Sequence, residues 1–485
     1  MPSFAQRQNP GQIVEQLNGH IPLPEAPQEP FTEPRVKLKA NTEIPKFAYK
    51  PMAMKLSEAS EILDDRIDEF AELVKTHHGF PESAFGNPTA ESTAEIIAVG
   101  RIASDTSEGK LNAASLVLET SRRMGAGIRV PLRMGKHAFD VFPGKIVALK
   151  GINSSGEYFS VSEVLTLPRL PLPATSTNEL DIHNDRLSGP GSDTRSLNIL
   201  IGSGPYTTET DLSYDSLHTI CDRAAETVAD VLILTGPFLD LEHVKIAAGD
   251  FDLPADTKIS PDNATLADVF RTLVANPLNR LVQQVPSITI ILVPSVRDAI
   301  SKHVSWPQDR FNRKELGLHK QVTCVTNPIM LSINEMLLGI STEDVLYEMQ
   351  RQRVSSNSKF GGDTMAALSA NVMEQRHFFP VFPPLPRAEN GLNIGASLDI
   401  SYLKLGELLN VVPDLMVLPS ALTPFVKVVE GVMVVNPGFA SKKRAAGTFA
   451  QMVVKRQEVS DEEREAGKSV VHGLYERARV DIVRV

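Results

Sequence analysis

The sequence predicts a chain of mixed α/β and all-β character, in which a small β-barrel precedes a larger domain with a two-layered β core flanked by helices. Short β-rich runs separated by turn signals crowd residues 91–172. After a segment rich in Pro, Gly and Ser, strands and helices alternate from residue 197 onwards. Each apolar strand of this second part is followed at once by a turn, which places short loops at the strand ends.

The composition describes a globular, acidic chain. It has 485 residues, 42 % of them hydrophobic and 22 % charged, and a formal net charge of −10. An acidic chain repels a phosphate backbone, so DNA contact would need a local basic patch, and the runs at 351–353 and 442–444 are short enough to be solvated surface. Two cysteines, Cys221 and Cys324, exclude a disulfide framework and a Cys-based zinc site within the chain. Both are predicted to be buried, in a reducing compartment.

The chain divides into six predicted segments. Five prolines between residues 22 and 34 indicate a flexible leader. Ser57 can cap the helix that follows, and Gly79 and Pro81 end it. No apolar run approaches the roughly 18 residues of a membrane span, so no membrane contact is expected. The predicted segments are a leader (1–55), a helix and connector (56–90), a barrel (91–172), a linker (173–196), a catalytically inactive α/β domain (197–456) and a C-terminal tail (457–485).

Five short strands in about 80 residues fit a Greek-key barrel of the OB type. They are predicted at 95–102, 115–119, 127–130, 144–151 and 158–161. An OB barrel that binds single-stranded DNA needs aromatic platforms in a basic groove. The spacing of the candidate aromatics places several of them in the core, so a structural or protein-contacting barrel is favoured and DNA binding stays open as an alternative. The candidates are Phe139, Phe142, Tyr158 and Phe159.

In the second domain, strands at 197–201, 231–235 and 288–293 alternate with helices at about 214–228 and 265–283. This order predicts neighbouring parallel strands with functional loops at their carboxyl ends. Pro277 is expected to kink or split the second helix. Further strands are predicted at 415–418, 425–429, 432–435 and 448–454.

Four loops lie where a binuclear metallophosphatase keeps its metal ligands, and they are called here the strand-end loops: 202–206, 236–240, 294–298 and 419–420. Two metals need a bridging carboxylate with His, Asn and Asp at the other positions. A working phosphoesterase of this architecture resembles Asp-x-His, Gly-Asp-x-x-Asp, Gly-Asn-His-Asp/Glu and Gly-His-x-His in turn. The strand-end loops instead carry Pro, Ser and Gly.

Compared position by position, the chain resembles an inactivated calcineurin-like phosphodiesterase domain. Pro237 stands where the bridging Asp would be, and Arg297 adds a positive charge where the metals would lie. The Asn-Pro-Gly turn that is common after the last ligand loop of such domains is present here and begins at Asn436. No catalytic residue, metal or cofactor is therefore predicted. The residues that mark these loops are Gly204, Pro205, Pro237, Asp240, Ser295, Arg297, Asp298, Pro419 and Asn436.

The two remaining carboxylates, Asp240 and Asp298, are interpreted as loop caps, because an Asp after a strand often caps the following helix. A metal-dependent phosphodiesterase with altered ligands remains an alternative. His243 and His303 lie nearby, but neither belongs to a Glu-x-x-His or paired-His pattern.

An OB barrel followed by an inactivated phosphodiesterase-like domain is the arrangement of the B subunits of replicative DNA polymerases. Within that group the chain resembles the B subunit of the DNA polymerase alpha–primase complex. The B subunit of polymerase delta shares the architecture, and the Gly-Pro-Tyr-Thr-Thr and Gly-Thr-Phe-Ala segments favour alpha. The resemblance covers residues 47–456 and is carried by 204–208, 234–240, 293–298, 327–328, 331–334, 379–384, 435–438 and 447–450.

The resemblance implies a non-catalytic, nuclear subunit without cofactors that binds the C-terminal region of the polymerase alpha catalytic subunit. Primase subunits would be held through the complex, and DNA contact would be indirect. Members of the family usually begin with a small helical domain joined by a long linker. Because the leader here is short, we expect this helical domain to be absent or truncated. The partner is expected across the junction of the barrel and the larger domain.

Overall fold

A computed structural model describes residues 4, 7–27, 30–106, 110–187, 196–251, 253, 257, 259–260, 263–384, 398–442 and 445–485. The first strands in chain order are β1 (Ile13–Leu17), β2 (Leu38–Ala40), β3 (Ile96–Ser104), β4 (Leu116–Glu119), β5 (Arg129–Arg133), β6 (Phe139–Val141), β7 (Ile146–Ile152), β8 (Phe159–Leu165) and β9 (Ala174–Thr175). Those of the larger domain begin with β10 (Ser196–Ser203), β11 (Val231–Thr235), β12 (Thr289–Val293), β13 (Val322–Cys324), β14 (Ile329–Ile333), β15 (Met336–Ile340) and β16 (Val354–Ser356). They end with β17 (Leu415–Val417), β18 (Phe425–Val429), β19 (Val432–Asn436), β20 (Ser441–Lys442), β21 (Ala445–Ala446), β22 (Thr448–Lys455), β23 (Val470–Val471) and β24 (Ala478–Arg484).

Helices connect and cover these strands. They are α1 (Leu56–His78), α2 (Arg122–Gly125), α3 (Thr177–Leu187), α4 (Asp215–Glu226), α5 (Val244–Ala248), α6 (Leu266–Phe270), α7 (Asn276–Gln284), α8 (Val345–Gln352), α9 (Thr364–Glu374), α10 (Asp461–Ala466) and α11 (Leu474–Arg477). Short 3-10 segments cover Ile44–Phe47, Glu82–Ala84 and Ile400–Gly406. In the part of the chain that the structure describes, no helix is both long and apolar enough to span a bilayer.

The predicted barrel is present. Strands β3, β4, β5, β8 and β7 close in that order, and alternate side chains fill the interior, with Leu118, Leu149 and Phe159 fully buried. The long helix α1 packs its apolar face, including Phe70 and Val74, on the outer face of β3 and β7. A closed barrel leaves no unpaired sheet edge except at its rims.

The larger domain has the predicted two-layered β core. One sheet runs β1-β24-β22-β10-β11-β12-β13, with β10 to β13 parallel, and the other runs β18-β19-β17-β15-β14-β2. The two sheets bury a shared apolar layer, while α4 and α7 cover the outer face of the first sheet and α8 and α9 that of the second. All five residues of β11 and of β12 are buried, as expected of parallel strands covered on both faces.

The prediction that Pro277 kinks or splits its helix is confirmed as an interruption of the α-helical hydrogen-bond pattern. Helix α6 gives way to a π-helical turn over Arg271–Ala275, and α7 begins with Pro277 in its first turn. The backbone stays helical through Ala275 and Asn276, so the π-helical turn carries the chain past Pro277 without leaving the helical path. The wider turn before it releases the carbonyl groups that the proline ring would otherwise meet.

The leader is not the flexible segment that its prolines predicted. Strand β1 pairs with β24 at the edge of the first sheet, and β2 pairs with β14 at the edge of the second. Between them, the Arg35 guanidinium donates to both carboxylate oxygens of Asp230, at 2.8 and 2.7 Å, with 8 % and 2 % of the side chains exposed. A buried two-bond ion pair of this kind needs a fixed partner, so this part of the leader belongs to the larger domain.

The C-terminal segment 457–485 is likewise part of the fold rather than a tail. Strand β24 lies between β22 and β1, inside the first sheet. His472 joins two other segments, because its Nδ1 lies 2.7 Å from Asp414 Oδ2 and its Nε2 lies 2.7 Å from Thr175 Oγ1. The predicted linker 173–196 contains β9 and α3, and its residues 188–195 lie outside the described part of the chain.

The barrel is fixed to the larger domain by hydrogen bonds between buried polar groups. Gln375, which follows α9, donates to the carbonyl oxygen of Ile146 at 2.9 Å and accepts its N–H at 2.8 Å, as a further strand would. The Lys145 ammonium, 7 % exposed, donates to Asn371 Oδ1 at 2.7 Å and lies 2.6 Å from Glu374 Oε2. Strands β6 and β16 pair across the same junction. The two folded units therefore form one block.

Candidate functional site

The four strand-end loops follow β10, β11, β12 and β17, as the sequence predicts. The first three lie side by side because their strands are parallel neighbours in one sheet. The fourth leaves the second sheet, which packs on the first through a shared core. The structure thus brings all nine predicted residues to one edge of the two-layered core.

The first two loops are packed into each other. The Gly204 N–H donates to the carbonyl oxygen of Thr235 at 2.9 Å, and a side chain on Gly204 would meet the carbonyl oxygen of Pro237 at 2.0 Å. The fully buried Tyr206 hydroxyl donates to the carbonyl oxygens of Gly202 and Thr235 at 3.1 and 2.9 Å. Peptide bonds preceding Pro205 and Pro237 are cis. Glycine, proline and tyrosine therefore close the space beside the first two loops.

Asp298 serves the loops as an acceptor of backbone hydrogen bonds. Its Oδ1 accepts the N–H groups of Phe238 and Leu239, the second at 3.1 Å, and its Oδ2 accepts that of Ser295 at 2.9 Å. Burial raises the pKa of Asp298 to about 7, although the three N–H donors act in the opposite direction. Asp298 therefore caps backbone N–H groups of two loops, in agreement with its interpretation as a loop cap.

Arg297 holds the second remaining carboxylate. Its guanidinium donates to both oxygens of Asp240, through Nε at 3.1 Å and through Nη2, and it also lies 2.9 Å from Glu242 Oε2. Asp240 accepts the N–H of Glu242 at 3.0 Å as well, which is a local turn contact. One cation therefore bridges two carboxylates at the position where the sequence comparison placed the metals.

The fourth loop is held by Asn436. Its Oδ1 accepts the N–H groups of Ser420 and Gly438 at 3.0 and 2.9 Å, and its Nδ2 donates to the carbonyl oxygens of Leu422 and Thr423 at 3.3 Å. The side chain of Asn436 is fully buried. All of its hydrogen-bonding capacity is used on the backbone around Pro419, so the turn that begins at Asn436 has a structural role in this site.

Two acidic residues of this edge were missed by sequence reasoning. Glu343 is buried, and burial together with the charge of Glu348 raises its pKa to about 8. Asp344 accepts the N–H of Tyr347 at the start of α8 and that of Ala421 beside the fourth loop, at 3.0 and 2.7 Å. The helix-capping pattern at Asp344 is a signal that the sequence offers, whereas nothing local marks Glu343.

These residues do not fit a pair of divalent cations. The bridging position is Pro237, Asp298 is committed to three N–H donors, and the Asp240 carboxylate is committed to Arg297. Among the described residues, no group of three or more His, Cys, Asp or Glu side chains is arranged to hold a metal ion. His243 and His303 bond to backbone carbonyls at 2.8 and 3.1 Å.

The four aromatic residues that are candidates for stacking on DNA bases are either buried or covered by another side chain. Phe142 and Phe159 are fully buried and Phe139 is 9 % exposed. Tyr158 lies under the Arg133 guanidinium, 3.3 Å from the ring centroid. In the basic run 351–353, Arg353 is bonded to Asp140 across the domain junction at 2.6 and 2.8 Å. In the run 442–444, residues 443 and 444 lie outside the described part of the chain.

Two family models match the chain. The model of the OB domain of the DNA polymerase alpha B subunit matches residues 60–167, and the model of the B subunit of DNA polymerases alpha and epsilon matches residues 199–427. The first covers the barrel with α1, and the second covers all four strand-end loops. A solved archaeal phosphodiesterase also matches, at 10 % identity over 54 % of this chain and 96 % of that chain, with a TM-score of 0.23 that supports no argument.

Relatives named as the B subunit of DNA polymerase alpha match over most of the chain. The protein of Schizosaccharomyces pombe is 35 % identical, over 98 % of this chain and 79 % of its own length. The protein of Saccharomyces cerevisiae is 33 % identical, over 93 % of this chain and 67 % of its own length. The protein of Rattus norvegicus is 27 % identical, over 87 % of this chain and 65 % of its own length. The chain belongs to the family of DNA polymerase alpha B subunits.

Proposed function

We propose that the chain is a non-catalytic accessory subunit of the DNA polymerase alpha–primase complex. In this role it scaffolds the catalytic subunit and primase for RNA–DNA primer synthesis at the start of chromosomal replication, in the nucleus. The observation that carries the proposal is the 35 % identity over 98 % of the chain to a relative named as this subunit. The closed strand-end loops support it, because their polar groups are used within the fold.

The proposed partner is the C-terminal region of the polymerase alpha catalytic subunit, with primase held through the complex. A scaffold must keep its binding surfaces in a fixed relation, and the junction described above does so with buried bonds. Lys145, Gln375 and Arg353 each bond across it. Rigid placement reduces the ordering cost of binding a partner that spans both units.

A cavity of about 310 Å³ at this junction supports a contact surface there. The barrel contributes Met134, Phe139 and Val147 to its walls, and the larger domain contributes Phe360 and Ala370. Most of the lining is apolar, with Lys145, Asn371 and Glu374 among it, which is the composition of an anchoring pocket. We propose that an apolar side chain of the catalytic subunit enters it.

Co-expression and pull-down of the full chain with a C-terminal fragment of the catalytic subunit tests both statements. Ser358 lines the cavity, whereas Ser154, in the turn between β7 and β8, is exposed and does not. The Ser358→Trp variant is expected to weaken the complex about tenfold or more, the loss of one buried anchor, and the Ser154→Trp variant to leave it unchanged. Failure of the unmodified chain to form a complex would refute the assignment as an accessory subunit. Equal binding by both variants would refute only the cavity as the contact.

The absence of catalysis is tested separately. The purified chain is incubated with manganese and a chromogenic phosphodiester, with Asp240→Ala as the matched variant. We expect no turnover above that of the variant. Metal-dependent turnover that disappears in Asp240→Ala would establish the alternative, a phosphodiesterase with altered ligands.

A further inference from the structure

One surface of this acidic protein is basic. It is formed by residues 265–284, which contain α6 and α7, and by residues 302–320, the connection that leads into the edge strand β13. These two segments hold seven Lys or Arg residues against three Asp or Glu residues, in a chain whose net charge is −10. We call this surface the basic face.

The connection is held rigidly on the helices beneath it. The side chain of Asn279 in α7 donates to the carbonyl oxygen of Gly317 and accepts the N–H of His319, both at 2.9 Å. The Arg271 guanidinium donates to the carbonyl oxygen of Glu315 at 3.0 and 2.7 Å. Three backbone hydrogen bonds within 312–318 make the segment a compact turn. Its outward side chains are therefore presented from a fixed frame.

Five cations of the basic face have no carboxylate partner anywhere in the described part of the chain. Some cations elsewhere on the surface, such as Arg123 and Arg464, are paired with carboxylates. Two members of the group lie close enough to Cys324 in β13 to oppose the rise in its thiol pKa that burial causes. The five are Arg280, Arg310, Arg313, Lys314 and Lys320, of which Arg313 alone is half-buried and the others are exposed.

The chemistry of the basic face favours a phosphate backbone over a polypeptide. A protein partner needs an apolar anchor among the cations it contacts. In the stretch 310–320, which carries four of the five unpaired cations, Phe311, Leu316 and Leu318 are all buried, and the exposed Val304 lies outside this stretch. Single-stranded nucleic acid needs an exposed aromatic platform, but Phe270 and Trp306 are buried as well. Cations alone are sufficient to neutralise the phosphates of a duplex.

We propose that the basic face binds the phosphate backbone of a nucleic-acid duplex, without sequence preference and independently of the OB barrel. This goes beyond the proposed accessory role, in which DNA contact was expected to be indirect. Neutralising about four phosphates gives a slope of log K against log salt of roughly −3.6, so the affinity should fall about 100-fold between about 50 and 200 mM salt.

The test is fluorescence anisotropy with a labelled DNA duplex of about 20 base pairs and the full chain, at the two salt concentrations above. The variant of the basic face carries Arg310→Gln, Arg313→Gln, Lys314→Gln and Lys320→Gln. The matched control carries the same charge change at Lys37→Gln, Lys39→Gln, Lys50→Gln and Lys468→Gln, four exposed lysines without an ion pair in the described structure. A labelled polyglutamate peptide is measured beside the duplex.

We expect the unmodified chain and the control to bind the duplex with the steep salt dependence, and the variant of the basic face to lose about 90 % or more of the affinity at low salt. Should that variant fail to fold, Lys314→Gln and Lys320→Gln tested singly are each expected to reduce the salt slope by about 1. No duplex binding by the unmodified chain, equal loss in the control, or tighter binding of polyglutamate than of the duplex would each overturn the proposal.

Discussion

The strand-end loops and the domain junction both bury charged side chains, and they use them differently. In the loops, Arg297 is bonded to Asp240, 57 positions away in the same domain, and Asp298 serves backbone groups of the same edge. At the junction, Lys145 and Arg353 bond to groups 226 and 213 positions away, in the other domain. Buried charge therefore closes a site in one region and joins two domains in the other.

Polar side chains at one edge of the two-layered core hold the strand-end loops together, whereas those at the junction join the barrel to the larger domain. A metal site needs carboxylates left free to bind cations, and both carboxylates that remain in the strand-end loops, Asp240 and Asp298, already have protein donors. The junction keeps apolar surface around its buried bonds, including the cavity beside Phe139. The following variants distinguish the two uses.

The largest effect is expected from Gly144→Ala at the junction. Gly144 has φ +99, and a Cβ there would meet the backbone N of Phe382 at 2.3 Å and the carbonyl oxygen of Pro380 at 2.5 Å. Backbone cannot move aside as a side chain can, so we expect a loss of about 3 kcal/mol or more in unfolding free energy, measured by chemical denaturation.

The control for this variant is Gly156→Ala. Gly156 has φ +75 in a barrel hairpin, and only Glu91 Cβ lies within reach, at 4.0 Å. An alanine at this position also has an unfavourable positive φ, but it meets no backbone atom. The positive φ alone is expected to cost about 1–2 kcal/mol. Hydrogen exchange should increase across the junction in Gly144→Ala alone, and equal exchange in both variants would contradict the junction's role.

Asp298→Asn is expected to lose about 2–3 kcal/mol at a pH near 5, because an amide nitrogen would face an N–H donor in the buried loops. Burial raises the pKa of Asp298 in the folded protein to about 7, above its unfolded value. Its stabilising contribution is therefore complete below the unfolded pKa and is lost as the pH rises through about 7. Denaturation at several pH values should show the difference from the unmodified protein shrinking towards a pH of about 8, and a widening difference would be inconsistent with a raised pKa.

Arg297→Met removes the cation between Asp240 and Glu242 but keeps most of the side-chain volume. Two partly buried carboxylates are then left without their donor, and we expect a loss of about 1–3 kcal/mol. Adding Asp240→Asn should recover part of it, giving a coupling energy of about 1 kcal/mol or more in a double-mutant cycle. Strict additivity of the two changes would show that the pair does not hold the loop.

The smallest effect is expected for Arg123→Ala. Arg123 pairs with Asp65 and Asp68 of α1, at 3.0 and 2.7 Å, but 64 % of its side chain is exposed, so solvent screens the pair. We expect no measurable change in the denaturation midpoint. Arg353→Ala, which breaks the partly buried two-bond pair with Asp140, should shift it clearly, and the reverse order would contradict the distinction between surface and junction.

Much of the fold follows from local sequence pattern. The strands predicted at 231–235 and 425–429 have the same bounds as β11 and β18. Turn residues on both sides of an apolar run fix where the strand begins and ends. The leader was misjudged because β1 is a largely exposed edge strand, and its Leu17 pairs with Val480 at the far end of the chain. Such pairing leaves no local signal.

The site was predictable in position but not in contact. Loops at the ends of parallel strands must lie together, so Pro237 and Arg297 could be placed at one edge from the sequence. The carboxylates that accept hydrogen bonds from Arg297 could not be predicted, because Glu242 belongs to a different loop and approaches Arg297 only when the two loops pack together. Glu343 gave no signal because burial of a single Glu is decided by tertiary packing.

We propose that the barrel and the larger domain act as one rigid scaffold within a polymerase complex. The most direct test is the affinity of a C-terminal fragment of the catalytic subunit for the unmodified chain, Gly156→Ala and Gly144→Ala, measured by isothermal titration at a temperature where all three are folded. We expect similar affinity for the unmodified chain and Gly156→Ala, and at least about tenfold weaker binding for Gly144→Ala, because its junction must be ordered on binding. Equal affinity for all three, or no binding to the unmodified chain, would refute the rigid-scaffold proposal.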